Sequence, residues 1–320
     1  MLKMPIFVSI CAAGLMTILG AGAVSGQSFP SKPVRILTSE TGGGSDMVAR
    51  LIAQDFTTNF GQPGIVDNRN GMVAAGLLAK AQPDGHTLLF FSSSIWIAPF
   101  LQDNLPYYPI KDFSPITLAM GSPNVLVVHP AVAANSAKEL IALAKAKPGQ
   151  LNYARTVLGG SPQLAAELFK SMAGLDIVSI PYKGAGPGVL GLISGEVQLM
   201  FPSSGAAVTH IKSGKVRALA VTSAQPSALV PGVPTLAATL PGYESASIIA
   251  AFAPAKTPAE VINLLNKEIV RFLNTPAVKD KLFVAGLEVY GTSPQEHAAK
   301  MKNDMAKMGK VIRDAGIRAE

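Results

Sequence analysis

Two glycine-rich turns, in different halves of the chain, are the residues best suited to bind a ligand. Thr41–Asp46 follows the apolar run Val34–Leu37, and Gly159–Gln163 follows Leu151–Ala154. Each turn is predicted to open a helix, whose first N–H groups are unpaired and carry the positive end of the helix dipole. Glycine lets an anion approach such a backbone closely. Two of these termini facing each other across a cleft would clamp a small carboxylate, although each turn alone is also an ordinary strand-to-helix connection.

The residues that usually bind metals or nucleotides are scattered or incomplete. The four histidines are His86, His129, His210 and His297. None has a second ligand at metal spacing, so no metal site is predicted. Gly186–Gly191 matches the dinucleotide fingerprint, but Leu199–Ser204, where the ribose-binding acid should lie, contains no Asp or Glu. No nucleophile elbow surrounds Ser161 and no histidine is placed as its base. We therefore predict no catalytic residue, no metal and no cofactor.

The N-terminus has the pattern of an export signal. Lys3 precedes an uncharged apolar stretch from Ile6 to about Val24, which ends in small residues up to Gly26. A membrane anchor is the alternative, because the stretch approaches spanning length. Its Gly and Ala content favours a removable signal peptide over residues 1–26. Removal would also take Cys11, the single cysteine, which excludes disulfide and thiol chemistry and favours a bacterial periplasm.

The formal net charge of +7 over 320 residues is spread along the chain. Lys and Arg form no run interleaved with aromatic residues, so nucleic acid is not an expected partner. A positive charge of this size can still draw small anions toward a cleft. The length suits two domains of ordinary size.

Short β-rich runs alternate with amphipathic stretches, which is typical of α/β domains with largely parallel sheets. Strands are predicted at Val34–Leu37, Gly64–Val66, Thr87–Phe91, Ile116–Ala119, Val125–His129, Leu151–Ala154, Ile177–Ile180, Val197–Phe201 and Ala218–Thr222. Helices are predicted at Asp46–Phe60, Ala137–Ala146, Gln163–Ala173, Pro258–Leu273, Pro276–Ala285 and Pro294–Ala315. Capping residues mark several of their starts, at Ser136, Ser161, Thr257, Thr275 and Ser293. The proline-rich stretch Ala224–Gly242 is typical of a surface loop.

The order and spacing of many short segments, taken together, are distinctive. They include Phe29–Arg35, Gly42–Asp46, Asp67–Arg69, Pro83–Leu89, Tyr108–Phe113, Asn124–Pro130, Leu151–Ala154, Glu167–Lys170, Pro181–Gly184 and Val216–Thr222. In these segments the chain resembles the Bug family of periplasmic solute-binding proteins, the receptors of tripartite tricarboxylate transporters. The resemblance extends from Phe29 to Ala319. It implies a type II-like periplasmic binding protein fold, in which two α/β lobes are joined by two crossovers and enclose a ligand cleft. Lobe 1 would comprise residues 27–122 and 247–320, and lobe 2 residues 123–246.

The resemblance also implies where a ligand would be held. Family members bind small carboxylates through backbone N–H groups and bridging waters at two loops, which correspond here to the two glycine-rich turns. The first turn and its neighbour supply Glu40, Thr41, Gly42, Gly43, Gly44, Ser45 and Asp46. The second supplies Gly159, Gly160, Ser161 and Gln163. Further lining is expected from Ser93, Trp96 and Ser203.

Departures from the family pattern leave alternatives open. Glu40 would repel an anion if it points inward, but it could instead bind a ligand ammonium or face solvent. Pro202 stands where many members have Asp, and Arg155 replaces a small or polar residue. The last helix could pack on either lobe.

The predicted function is that of a receptor, expected to be monomeric, that delivers a small carboxylate to integral-membrane transporter subunits. One alternative is a receptor that presents its ligand to a membrane sensor kinase. The other is a periplasmic hydrolase that uses Ser161.

Overall fold

The computed structural model describes residues 29–317, without residues 40, 157 and 158. The predicted signal peptide over residues 1–26 and the predicted ligand contact Glu40 lie outside the described residues. Within those residues, no helix combines the length and the apolar character that crossing a membrane requires.

The first sheet takes its strands from two separate stretches of the chain. Its members are β1 (Val34–Thr38), β2 (Gly64–Asn68), β3 (Thr87–Ser92), β4 (Phe113–Pro123), β10 (Ala246–Pro254) and β11 (Glu288–Val289). They lie in the order β11-β4-β10-β3-β1-β2. β1 pairs in parallel with β2 and β3, whereas β10 runs antiparallel to both β3 and β4. We call the part of the molecule built on this sheet lobe 1.

The second sheet is built from one continuous stretch. Its members are β5 (Val125–Val128), β6 (Asn152–Arg155), β7 (Val178–Pro181), β8 (Leu199–Met200) and β9 (Arg217–Val221). They lie in the order β7-β6-β8-β5-β9. β6 is parallel to β7 and β8, and β5 is antiparallel to β8 and β9. We call this part lobe 2.

Helices cover these sheets. They are α1 (Gly44–Asn59), α2 (Gly71–Ala79), α3 (Ser94–Ile97), α4 (Pro109–Asp112), α5 (Ala137–Ala146), α6 (Ser161–Ala173), α7 (Ala185–Ile193), α8 (Ser204–Lys212), α9 (Ala259–Leu273), α10 (Pro276–Val284) and α11 (Pro294–Asp314). α11 begins with a complete capping box, in which Ser293 and Glu296 each accept from the other's backbone N–H. The expected α/β alternation is therefore present.

The expectation of largely parallel sheets is wrong, because each sheet also contains antiparallel pairs. These pairs involve the strands that lead the chain from one sheet to the other. β4 ends at Pro123 in the first sheet and β5 begins at Val125 in the second, so Asn124 alone separates them. The chain returns through β10, which enters the first sheet at Ala246 and was not predicted as a strand.

The last helix contacts both lobes, which answers a question that the sequence left open. α11 packs on β4 and α3 of lobe 1 and on α6 of lobe 2. Its buried residues Met301, Met305 and Met308 join one continuous apolar core with Leu164 and Leu168 of α6. The two lobes are thus connected along one side by hydrophobic packing as well as by the crossing segments.

Candidate functional site

The loop before α1 is held in shape by the side chain of Asp46. Its Oδ2 atom accepts hydrogen bonds from the backbone N–H of Gly42 (3.0 Å) and from Nε of Arg50 (3.1 Å). Its Oδ1 atom accepts from Nδ2 of Asn68 (2.8 Å), which also donates to the carbonyl oxygen of Ser39 (2.6 Å). Burial alone would raise the pKa of Asp46, but these hydrogen bonds lower it. The carboxylate is therefore charged and engaged in shaping the loop.

The loop before α6 repeats this construction in lobe 2. The backbone N–H of Gly159 donates to Oε1 of Gln163 (2.7 Å), just as Gly42 donates to the side chain four residues later. Gln163 is buried and lies directly under the loop. Both Asp46 and Gln163 were predicted as ligand contacts. The structure shows each of them supporting the backbone that a ligand would meet.

The glycines of the two loops divide their roles in the same way. The glycine whose N–H donates to the side chain four residues later has a positive φ, +91° at Gly42 and +70° at Gly159. The following glycine is the N-cap and is extended, with φ of −82° at Gly43 and −72° at Gly160. Neither helix start carries a side-chain cap, so Ser161 is not the N-cap that its sequence context predicts. The first N–H groups of each helix are left for another acceptor.

A cavity of about 180 Å³ lies between the lobes at the N-terminus of α6. Its lining residues are Ser92, Ser93, Ser94 and Ile97 of lobe 1, Gly159, Gly160, Ser161 and Leu164 of lobe 2, Glu244, Ser245, Ala246 and Ser247 of the returning chain, and Lys300, Asp304 and Met308 of α11. Both lobes and one crossing segment therefore contribute to its wall. Four predicted residues, Ser93, Gly159, Gly160 and Ser161, lie in this lining.

Ser161 is oriented by Asn124, the residue between the two sheets. Nδ2 of Asn124 donates to Oγ of Ser161 (2.7 Å). Because this oxygen accepts from the amide, the serine O–H remains a donor. An amide N–H cannot take a proton from a hydroxyl, so this contact does not activate Ser161 as a nucleophile. The same Asn124 pairs with Ser203 in an isolated β-bridge, which places Ser203 beside the crossover and outside the cavity lining.

Three charged side chains form one side of the cavity. Nζ of Lys300 lies 2.8 Å from Oδ1 of Asp304 and 3.1 Å from Oε2 of Glu244. Burial alone would lower the pKa of Lys300, but the two carboxylates outweigh it and raise that pKa. Burial raises the pKa of Asp304, and the nearby Glu244 adds to the effect while Lys300 opposes it. We call these three residues the charged triad.

Two groups of predicted contacts lie elsewhere. The side chain of Trp96 is fully buried, with its ring 5.9 Å from those of Phe252 and His297, so its expected place at the cleft edge is wrong. Its bulk fills the core beneath α11 instead.

Thr41–Asp46 is not part of the cavity lining either. This loop follows β1, and the cavity serines follow β3, its parallel neighbour, so both lie at the same sheet edge.

Several residues at the site were missed by sequence reasoning. Lys300 and Asp304 are visible in the sequence as an (i, i+4) pair, but such pairs are usually on a solvated helix face. Glu244 and the serines Ser245 and Ser247 lie where the chain crosses between lobes, and no local pattern marks a crossing.

Arg155 donates to Oγ of Ser179 and is not part of the cavity lining. Among residues 29–317, apart from the three left undescribed, no group of three or more metal-ligating side chains comes together.

The two sheets, the crossover strands and the cavity between them define the two-lobed fold of type II-like periplasmic solute-binding proteins, which solved receptors of this class share. Residues 48–317 match the model of the tripartite tricarboxylate transporter family receptor. The chain belongs to this family, which confirms the resemblance found in the sequence. Receptors of this family are periplasmic binding proteins.

Individual relatives agree with this assignment. The protein BugT of Bordetella pertussis is 33% identical over 305 residues, 93% of this chain and 94% of that protein. An R. palustris protein solved with adipate is 34% identical, with a TM-score of 0.69, over 91% of this chain and 99% of the other. The protein MatC of Rhodopseudomonas palustris, solved with bound malate, is 28% identical, with a TM-score of 0.66, over 89% and 100% of the two chains.

Proposed function

We propose that this protein is an extracytoplasmic receptor that captures a small organic acid between its lobes and delivers it to a membrane transporter. The observation that carries the proposal is the cavity at the uncapped start of α6. Unpaired N–H groups at the N-terminus of a helix of 13 residues attract an anion. The O–H of Ser161 adds a donor there. Hydrogen bonds from such donors to a charged carboxylate are among the strong ones.

The first glycine-rich loop completes the site in this proposal. It has the same construction as the second loop and ends at the same sheet edge as Ser92–Ser94. Closing of the lobes would bring Thr41–Ser45 toward the ligand, so that both helix termini face one carboxylate ligand. Closure between lobes around a ligand is a common motion in binding proteins of this kind. Relatives that bind adipate and malate support a carboxylate as the ligand class.

Family membership supports the remaining parts of the proposal. The mature chain acts in the periplasm after removal of residues 1–26, as a monomer without metal or cofactor. Lobe 1 comprises residues 27–122 and 247–320, and lobe 2 residues 123–246. The protein performs no chemistry on its ligand, and Ser161 is a hydrogen-bond donor to the ligand. Its transporter partner consists of integral-membrane subunits.

A thermal-shift screen tests this proposal. We expect mono-, di- or tricarboxylates to raise the melting temperature, because a ligand at a hundred times its dissociation constant adds about 2.7 kcal/mol to stability. Ser161→Ala should weaken the effect of the best ligand. Ser213→Ala, at the end of α8 and outside the cavity lining, is the matched control and should leave it unchanged. A screen in which no carboxylate shifts the melting temperature would refute the proposal.

A further inference from the structure

The charge of the cavity wall is unusual for a site that receives an anion. Of the described residues that line it, only the charged triad carries charge: two acids, Glu244 and Asp304, and one base, Lys300. The side chains of Lys300 and Asp304 are 16% and 12% exposed, and that of Glu244 is 32% exposed. With all three ionised, this wall has a net charge of −1.

The positive charge of Lys300 is already engaged by protein. Its Nζ contacts both carboxylates, at 2.8 Å and 3.1 Å, and the contact to Asp304 spans one turn of α11. An ammonium group has a third N–H, and a ligand carboxylate bound to it would lie beside both acids in a poorly solvated cavity, where like charges repel strongly.

Another part of the lining has the reverse character. The start of α6 offers N–H groups with the positive end of a helix dipole and the O–H of Ser161. Serine hydroxyls at Ser92, Ser93, Ser94, Ser245 and Ser247 also line the cavity. The cavity thus has one part suited to an anion and another part suited to a hydrogen-bond donor or a cation.

We propose that the site selects a carboxylate whose far end carries an ammonium group, over a dicarboxylate of the same length. This inference rests on the proposed function, since it assumes that the carboxylate lies at the start of α6. The ammonium would donate to Glu244 and Asp304 beside Lys300, and it would bring the charge of that wall to zero. A second carboxylate in the same place would raise the negative charge to −2.

The test compares ligands that differ only at the far end. The pairs are γ-aminobutyrate with succinate, δ-aminovalerate with glutarate, and ε-aminocaproate with adipate. Titration calorimetry should show, for the best-fitting length, that the amino acid binds at least about tenfold more tightly, because like-charge contacts in an interface are strongly unfavourable. Glu244→Gln should reduce this preference, and the double variant Glu244→Gln with Asp304→Asn should reverse it.

Asp314→Asn is the matched control, since Asp314 forms an exposed (i, i+4) pair with Lys310 on the same helix. It should leave the preference unchanged. Glu244→Gln alone keeps the test valid if the double variant fails to melt cooperatively, because Glu244 is the more exposed acid. A wild-type protein that prefers the dicarboxylate at its best length, or a preference that Glu244→Gln leaves intact, would overturn this inference.

Failure of this inference can be distinguished from failure of the proposed function. If neither ligand series binds but another carboxylate does, the inference about the far end fails and the receptor proposal stands. If no carboxylate binds, both fail.

Discussion

At the scale of single residues, the position that requires a glycine conformation lies one residue before the N-cap of each helix. Gly42 and Gly159 have positive φ, whereas the N-caps Gly43 and Gly160 do not. At Gly159 an added Cβ would also come within 2.6 Å of the side chain of Leu101. Glycine at the N-caps is therefore not required by backbone strain, and we expect its small size there to allow the approach of a ligand.

The same substitution at two adjacent glycines should consequently have opposite effects. Gly42→Ser forces a side chain into the left-handed region and should lower the free energy of unfolding by about 1–2 kcal/mol. Gly43→Ser places a preferred N-cap residue at an extended position and should be neutral or stabilising by a few tenths of a kcal/mol. Urea unfolding of the ligand-free proteins measures both. Equal losses at the two positions would contradict this division of roles.

His297 should make the protein sensitive to acid. It is fully buried against Trp96 and Phe252, and neither ring nitrogen has a hydrogen-bond partner among the described residues. Burial lowers its pKa from 6.5 to about 3. Between these pH values the unfolded chain binds a proton that the folded chain does not, so stability falls as the pH drops below about 6.5.

We expect His297 to lower the free energy of unfolding by about 2–3 kcal/mol as the pH falls from 6.5 to 4.5, because the slope is about 1.4 kcal/mol per pH unit. His297→Leu should lose correspondingly less stability than the wild type over the same range, as measured by urea unfolding at both pH values. His210→Gln, at a half-exposed position on α8, serves as control and should behave like the wild type. Parallel pH curves for His297→Leu and wild type would show that this histidine is not the cause.

At the scale of elements, the start of α6 depends on the side chain of Gln163. Gln163→Met keeps the length of the side chain but removes the acceptor for the buried N–H of Gly159. An unsatisfied buried donor costs about 1–3 kcal/mol, and unfolding experiments should show a loss of this size. Gln54→Met, at an exposed position of α1, should change stability by no more than about 0.5 kcal/mol. Similar effects of the two substitutions would mean that the bond from Gly159 does not hold the loop.

Elements with strong local signals were predicted from the sequence. The helix after Ser293 begins as its capping box indicates, and the strand β1 lies where its apolar run predicts. β10 was missed, because its residues Ala246–Pro254 become a central strand only through pairing with β3 and β4. The same limit applies to the site. The glycine-rich turns are local patterns, whereas the meeting of Glu244 with Lys300 depends on how the returning chain packs against α11.

At the scale of the whole molecule, ligand binding should change the angle between the lobes. The chain crosses at Asn124 and again before Ala246, and the cavity between the lobes has walls from both. A ligand that contacts both walls favours the closed arrangement. Small-angle X-ray scattering should therefore give a smaller radius of gyration at saturating ligand.

Gly160→Val is the control for this measurement, because a branched side chain at the N-cap would block the approach of the carboxylate. Its φ of −72° is accessible to valine, so the variant should retain a cooperative melt. Its radius of gyration should not respond to the ligand. An unchanged radius in the wild type at proven saturation would indicate a rigid, preformed site.

The strand order of the first sheet has a consequence for how the chain acquires its structure during synthesis. β3 and β4 follow each other in sequence, yet β10 lies between them and is made only after every strand of the second sheet. The strands of lobe 2 can therefore pair within their own continuous segment, while the sheet of lobe 1 is incomplete until β10 has been synthesised. A chain that stops before Ala246 would leave β3 and β4 with unpaired edges, which are prone to aggregation. Hydrogen exchange on ribosome-bound chains that end before Ala246 should accordingly show protection in residues 125–221 and little protection in residues 34–123.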